Sequence, residues 1–385
     1  MGFCGWASII LLCAGLPVAA QQGANSPTQN PTPQDRDHPT LSHRPPPVAG
    51  LPEGKIKLDV VVTDDAGSAV AGLEQKDFRL LDNKKARPTL SFRAVDGTTG
   101  NGTVADPPVE VILLIDAANT SLQRVAQARL QVASYLRQNG GRLAQPTSVL
   151  LLFDLGVKAW LKPSKDGNLL AKQLEEGTTA AHKIPLTKGY DELELLSLSL
   201  KTLGSIATDE GATAGRKMLI WIGPGWPLLD SRYYSAPASS RRQLFNDMID
   251  VSQELSDARI ALYSIYPIDP ALNDGVEAEF YRSYVRGVVV PEHTEPGNLA
   301  LPVFAIHSGG RALDTVGDLA MLINSCVREA AAYYTLSFDP ATAKRVDEYH
   351  ELAVRVDKPH LKAHTTTAYY AEPSFQFELP ALGGK

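Results

Sequence analysis

Glu110-Val-Ile-Leu-Leu-Ile-Asp-Ala-Ala-Asn-Thr-Ser121 reads as a strand that stops at an acid. The unbroken apolar run Val111 to Ile115 fits a strand buried on both faces of a parallel sheet. Asp116 follows where that strand's carboxyl end should be, and a helical pattern begins after Thr120. In open α/β sheets, ligands bind outside the carboxyl ends of the strands. Asp116 therefore stands where binding or chemistry is expected, with capping of the following helix by its carboxylate as the alternative.

Working outward, strand and helix patterns alternate, which is the mark of an α/β domain. A helix is expected over Ser121 to Asn139, with Leu122, Val125, Ala126, Ala133 and Leu136 on one face. Strands follow at Ser148–Phe153, Lys217–Ile222 and Arg259–Ile265, and Val157–Leu161 forms an antiparallel edge. Helices are expected at Leu169–Glu176, Leu193–Leu203, Ser239–Ala258 and Pro302–His307, and around Cys326.

The flanks read differently. Ile56–Thr63, Leu73–Leu81 and Leu90–Val95 alternate like half-buried strands, as do Tyr333–Phe338, Tyr349–Val356 and Lys362–Tyr370. Neither flank holds enough strands to be stable alone. The expectation is a doubly wound, mostly parallel α/β sheet over 105–330, with a β-sandwich built jointly by 55–104 and 331–372 and a tail at 373–385.

Asp116-Ala-Ala-Asn-Thr120 resembles the start of a von Willebrand factor A domain, whose first strand ends in Asp-x-Ser-x-Ser. Asp59-Val-Val-Val-Thr-Asp64 through Phe78, Leu113–Asp116, and Ser308-Gly-Gly-Arg311 leading to Tyr334 together resemble an acidobacterial subgroup of that family. The resemblance implies a metal-ion-dependent adhesion site for Mg²⁺. Here it is reduced to Asp116 and Thr120, because Ala118 has no oxygen and Gly223-Pro-Gly225 stands where a second aspartate is expected. Thr187 is the candidate from the second loop. The resemblance thus implies no cofactor, or weakly held Mg²⁺ at most.

Other chemistry finds little support. His307-Ser308 ends a helix with no activating carboxylate. His360 and His364 have a spacing that suits zinc on a helix, yet lie in strand-like sequence. Cys326 sits in an amphipathic helix pattern and reads as a buried structural thiol. Gly223-x-Gly225 is followed by Trp226-Pro227, so it is no dinucleotide fingerprint. Trp226, Tyr233 and Tyr234 follow a buried strand at its carboxyl end; they read either as partner-binding aromatics or as a loop mini-core.

The chain has 385 residues, 44% hydrophobic, with a formal net charge of -6. It shows no basic stripe for nucleic acid. Residues 1–20 carry the apolar core Ile9–Leu16 and then Val18-Ala19-Ala20, the pattern of a cleaved secretory signal. No second apolar stretch is long enough to span a bilayer. Residues 21–54 are rich in Pro, Gln and Asn and read as a spacer. The expected function is a non-catalytic, exported protein-binding or adhesion module, periplasmic or secreted. A structural envelope scaffold and a hydrolase are the alternatives.

Overall fold

A computed structural model describes residues 56–96, 107–153, 156–159, 162–181, 192–226, 238–266, 280–313 and 317–373. The expected signal segment, the Pro-rich spacer and the tail beyond 373 lie outside them.

The sandwich is built from both flanks. In one sheet, β1 (Ile56–Thr63) and β4 (Ser91–Val95) from the amino-terminal flank lie either side of β12 (Tyr333–Phe338), and β14 (Lys362–His364) closes the edge in the order β14-β1-β12-β4. In the other, β2 (Phe78–Asp82) and β3 (Lys85–Arg87) continue from β13 (Glu348–Val356) and β15 (Ala368–Ala371) in the order β15-β13-β2-β3. Side-chain alternation explains the packing. Leu58, Val60 and Val62 meet Tyr334, Leu336 and Phe338, and together they face Phe78, Leu80 and Val354 of the second sheet. Their neighbours Val61 and Tyr333 point the other way, into the α/β core. The first sheet is therefore covered on both faces, which is why β12 is almost wholly buried.

Lys362–Tyr370 is not the single strand expected. His364 pairs with β1 in one sheet, Ala368 with β13 in the other, and Thr365–Thr367 cross between them. Strand β3 gave no alternating signal because it is short and largely exposed.

The α/β sheet holds β5 (Glu110–Asp116), β6 (Arg142–Phe153), β7 (Gly156–Ala159), β8 (Ser164–Asp166), β9 (Lys217–Ile222), β10 (Ile260–Ile265) and β11 (Ala312–Leu313). Their order is β11-β10-β9-β5-β6-β7, with β8 also on β6. Strands β11, β10, β9, β5 and β6 run parallel, while β7 and β8 are antiparallel. Helices α1 (Leu122–Leu136), α2 (Gly167–Ala181), α3 (Glu192–Gly211), α4 (Ala238–Asp257), α5 (Leu301–His307) and α6 (Leu319–Val327) cover it. Alternate residues of β5 explain the two layers. Leu113 and Ile115 enter a core with Val132 and Ile323, whereas Ile112 and Leu114 enter one with Leu200 and Phe245. Leu122 and Ala126 face outward on α1, contrary to expectation. The buried stripe runs through Val125, Arg129, Val132 and Leu136, with the Arg129 guanidinium donating to the Leu174 carbonyl.

The sandwich is bonded to the amino ends of the parallel strands. Arg259, just before β10, donates twice to Asp59 of β1, at 2.9 and 2.7 Å, and the Thr335 hydroxyl donates to the same carboxylate. Nearby, Lys217 Nζ donates to the carbonyls of Glu210, Thr213 and Ala258. Glu110 accepts from Ser148 Oγ at 3.2 Å.

Burial, reinforced by the Glu210 charge, pushes the Glu110 carboxyl up from 4.5 to about 7. The native state then holds this proton more tightly than the unfolded chain. Glu110 therefore leaves stability highest below pH 4.5 and lowers it as pH rises to about 7. Partial exposure screens the effect, leaving about 1–2 kcal/mol. Glu110→Gln is expected to exceed wild type in urea stability by that amount at pH 8 and to match it near pH 4.5. An equal difference at both pH values would sink this account.

Candidate functional site

Asp116 closes β5 on the same face as Ile112 and Leu114, pointing toward α3. Its neighbour across the sheet is Trp221 of β9, whose register partner is Leu114. The geometry is that of an enclosed anion. Oδ1 accepts from the backbone N–H of Ala118 at 3.1 Å and of Asn119 at 2.9 Å. The Asn119 amide Nδ2 lies 3.1 Å from Oδ1 and 3.0 Å from Oδ2, and it also donates to Ser199 Oγ. The Trp221 indole donates to Oδ2 at 3.0 Å. Asp116 is fully buried. Burial pushes its pKa up, and the Asn119, Trp221 and Ala118 donors pull it back.

The expected helix-capping role is divided. Asp116 ties down the backbone of the turn, but the α1 cap itself is Ser121, whose hydroxyl accepts from Arg124 N–H. Thr120 is half-buried in the same turn and makes no hydrogen bond to the carboxylate among the described residues. Ala118 packs against the core of the α3–α4 layer.

The groups around Asp116 are donors, which is the wrong set for a dication. Mg²⁺ needs octahedral oxygen ligands, yet N–H groups surround both Asp116 oxygens. The Asn119 amide presents its nitrogen, not its oxygen, to the carboxylate, and its Oδ1 is buried without a partner. Gly223 lies close against the acid. It has φ +153, and a Cβ there would lie 2.7 Å from Asp116 Cβ. The residues do not fit the ion, and the missing second acid cannot simply be restored. Gly223→Asp combined with Ala118→Ser is expected to gain no Mn²⁺ affinity by calorimetry and to lower the thermal midpoint. A micromolar site in that variant would overturn the reading of Gly223.

Of the two readings of Trp226, its burial fits the core and not a partner contact. It is 4% exposed, donates to the Leu299 carbonyl at 2.8 Å, and packs edge-on against Trp221 and at a tilt against Phe304. An indole in that position is unavailable to a partner. Tyr233, Tyr234 and Thr187 lie outside the described residues.

The remaining candidates separate. His360 pairs with exposed Asp65, while His364 contacts Thr63, so they do not converge on a metal. Among the described residues no group of three or more His, Cys, Asp or Glu could hold one. His307 contacts the Thr367 hydroxyl through Nδ1, and burial lowers its pKa to about 4. Cys326 is fully buried, and burial raises its thiol pKa far above the ordinary range. Sequence reasoning missed Asn119, Ser199 and Trp221. The available signal was Trp221 itself, because a buried indole N–H needs an acceptor and Asp116 ends the adjacent strand.

No family model matches the chain, and no curated protein matches it. Among solved structures it is similar to the human COPII-coat protein Sec24c, at 8% identity, over 72% of this chain and 46% of that one, with a TM-score of 0.33. It is also similar to the SpRpn10 VWA domain, at 11% identity over 56% and 94% of the two chains, TM-score 0.27. Manganese-loaded Plasmodium vivax TRAP protein is a third, at 9% identity over 73% and 98%, TM-score 0.32. The chain spans less than half of Sec24c. Likenesses this low carry no argument, and the site is read from its own geometry.

Proposed function

We propose that this chain is an exported, non-catalytic protein-binding module, with a von Willebrand A-like α/β domain displayed on a β-sandwich base. The observation that carries the reading is polarity along the parallel strands. Their amino ends are fixed to the sandwich through Asp59–Arg259, whereas the Asp116 turn and Gly223–Trp226 occupy the opposite, carboxyl ends. Partner binding occurs at that distal rim, where the fold class places ligands. The enclosed carboxylate organises the rim and is not itself the contact, so binding is independent of divalent metal.

Export rests on the amino-terminal apolar segment, with cleavage after Ala20 and residues 21–54 serving as a spacer. N-terminal sequencing of the secreted protein decides that part. Among the described residues no helix is long and apolar enough to cross a membrane.

The binding assignment is tested by placing photo-crosslinkers in the mature chain at Thr120 and Ser121, and at exposed Lys358 of the sandwich as a contrast. A discrete adduct from the rim positions, unchanged by a chelator, is expected. Adducts from Lys358 alone would favour a scaffold whose α/β domain is structural. Adducts lost on chelation would restore a metal-dependent site.

A further inference from the structure

Helix α1 turns an uncharged face to solvent. Its exposed residues are Leu122, Gln123, Ala126, Gln127, Leu130 and Ser134, and none carries a charge. The other long helices do the opposite. Lys172, Glu175 and Glu176 are exposed on α2, Glu194, Lys201 and Asp209 on α3, and Arg242 and Asp257 on α4. The arginines of α1 and its C-cap are all engaged elsewhere. Arg124 lies 5.3 Å from the centre of the Tyr266 ring, buried Arg129 donates to the Leu174 carbonyl, and Arg137 pairs with Glu175 at 2.7 Å.

Leu122 and Leu130 are 64% and 69% exposed. Single exposed leucines are ordinary on a protein surface. These two belong to one feature, because Leu122, Ala126 and Leu130 stand four residues apart on a helix and form a single ridge. At 1.5 Å per residue that ridge is about 12 Å long. Gln123, Gln127 and Gln131 form the next ridge at the same spacing. Both ridges read the same in either direction, Leu-Ala-Leu beside Gln-Gln-Gln.

That symmetry selects the occupant. An isologous interface needs a patch that complements itself under a two-fold rotation. Two copies of α1 crossing antiparallel at Ala126 meet the condition. The small Ala126 lets the backbones approach, and Leu122 of each copy packs beside Leu130 of the other. Packing of four-spaced ridges against one another is the commonest helix–helix class in globular proteins. Glutamine amides, both donor and acceptor, pair with their own kind. The chain has a formal net charge of -6, so two copies repel overall. This face sets no like charges against each other. A lipid surface fits less well, since it favours Lys or Arg beside the apolar residues and the face has neither. We propose that the outer face of α1 is a self-association surface, pairing two copies of this chain antiparallel about Ala126. One helix crossing lies at the small end of specific interfaces, below about 1,200 Å² in total, so the dimer is weak and reversible. Since α1 begins beside the Asp116 turn, this pairing directs the two distal rims away from each other.

The test uses the mature chain, whose one cysteine, Cys326, is buried. Sedimentation equilibrium at concentrations up to about 1 mM is expected to show monomer and dimer in exchange. Leu122→Glu and Leu130→Glu, both exposed changes, should each weaken the dimer at least about tenfold by setting charge against the contact. Leu169→Glu, at an exposed leucine of α2, should leave it unchanged. Cysteines read the register. Ala126→Cys lies on the two-fold axis and should oxidise to a disulfide-linked dimer at least about tenfold faster than Ser134→Cys, which is exposed but off the axis. A wild-type chain that stays monomeric, equal weakening by Leu169→Glu, or equal oxidation rates for the two cysteine variants would each overturn the proposal. Monomeric protein that binds anionic vesicles, and loses them in Leu130→Glu, would overturn it in favour of a lipid surface.

Discussion

Asp116→Asn is expected to destabilise the protein by about 3–5 kcal/mol, the usual cost of breaking a buried, hydrogen-bonded charge network. The substitution is nearly isosteric, so packing is not at issue. One carboxylate oxygen becomes an NH₂ group, and every neighbour of that carboxylate is itself a donor: Ala118 N–H, Asn119 N–H and Nδ2, and the Trp221 indole. Whichever way the new amide turns, a donor faces a donor. The sign of the effect also separates two origins for this acid. A carboxylate kept for a dication lacks its counter-charge in the metal-free protein, and neutralising it should stabilise the fold. A carboxylate kept for N–H donors is satisfied already, and altering it should destabilise. Urea unfolding in a chelating buffer measures the difference. Trp221→Phe in the same series should show a coupling of about 1 kcal/mol or more with Asp116→Asn. A stabilised Asp116→Asn protein would sink the N–H account.

Asp116 also shows how far the sequence reaches. Its position at the end of β5 was legible because an apolar run ending in an acid is a local pattern. The α/β order was legible for the same reason, as was the pairing of the flanks, since neither could bury its alternating faces alone. The partners of Asp116 were not. Trp221 and Ser199 are distant in sequence, and Trp221 looked like one more apolar residue of a buried strand. Asn119 stands at an unconstrained position of the motif, yet its amide fills the space a cation would need. Trp226 stayed open between partner and core because a loop aromatic beside a rim suits either, and only the position of the Leu299 carbonyl, distant in sequence, separates them. The outward face of α1 was misjudged because Arg129 counts as polar in any pattern, although its buried guanidinium reaches Leu174.

Gly310→Ala should prevent accumulation of folded protein, or cost more than about 4 kcal/mol, a range reserved for severe packing or backbone conflicts. Gly310 lies in Ser308-Gly-Gly-Arg311, the stretch that joins α5 to β11 and carries the seam with the sandwich. Each residue has a separate task. Ser308 Oγ accepts from the Leu262 backbone N–H of β10. Gly309 has φ +85, and a Cβ there would lie 2.6 Å from the Thr365 carbonyl carbon in the crossing between the two sandwich sheets. Arg311 donates to fully buried Glu329 at 2.6 Å, and the Tyr263 hydroxyl donates to the other Glu329 oxygen. Gly310 needs no unusual φ but must have no side chain. A Cβ would penetrate the Leu262 carbonyl oxygen, which belongs to a strand paired on both sides and cannot withdraw. Overpacking usually costs about 1–3 kcal/mol because side chains yield, and here the obstacle is backbone. Gly309→Ala should follow closely, adding positive-φ strain to its clash. Gly211→Ala is the contrast: at the end of α3, its added methyl would meet only Ala258 Cβ at 4.0 Å. It should be neutral or stabilising by roughly 0.5–1 kcal/mol. Soluble yield and urea midpoints of the three variants decide the matter. A Gly310→Ala protein as stable as wild type would mean that α5 and β10 are not held as closely as this seam requires.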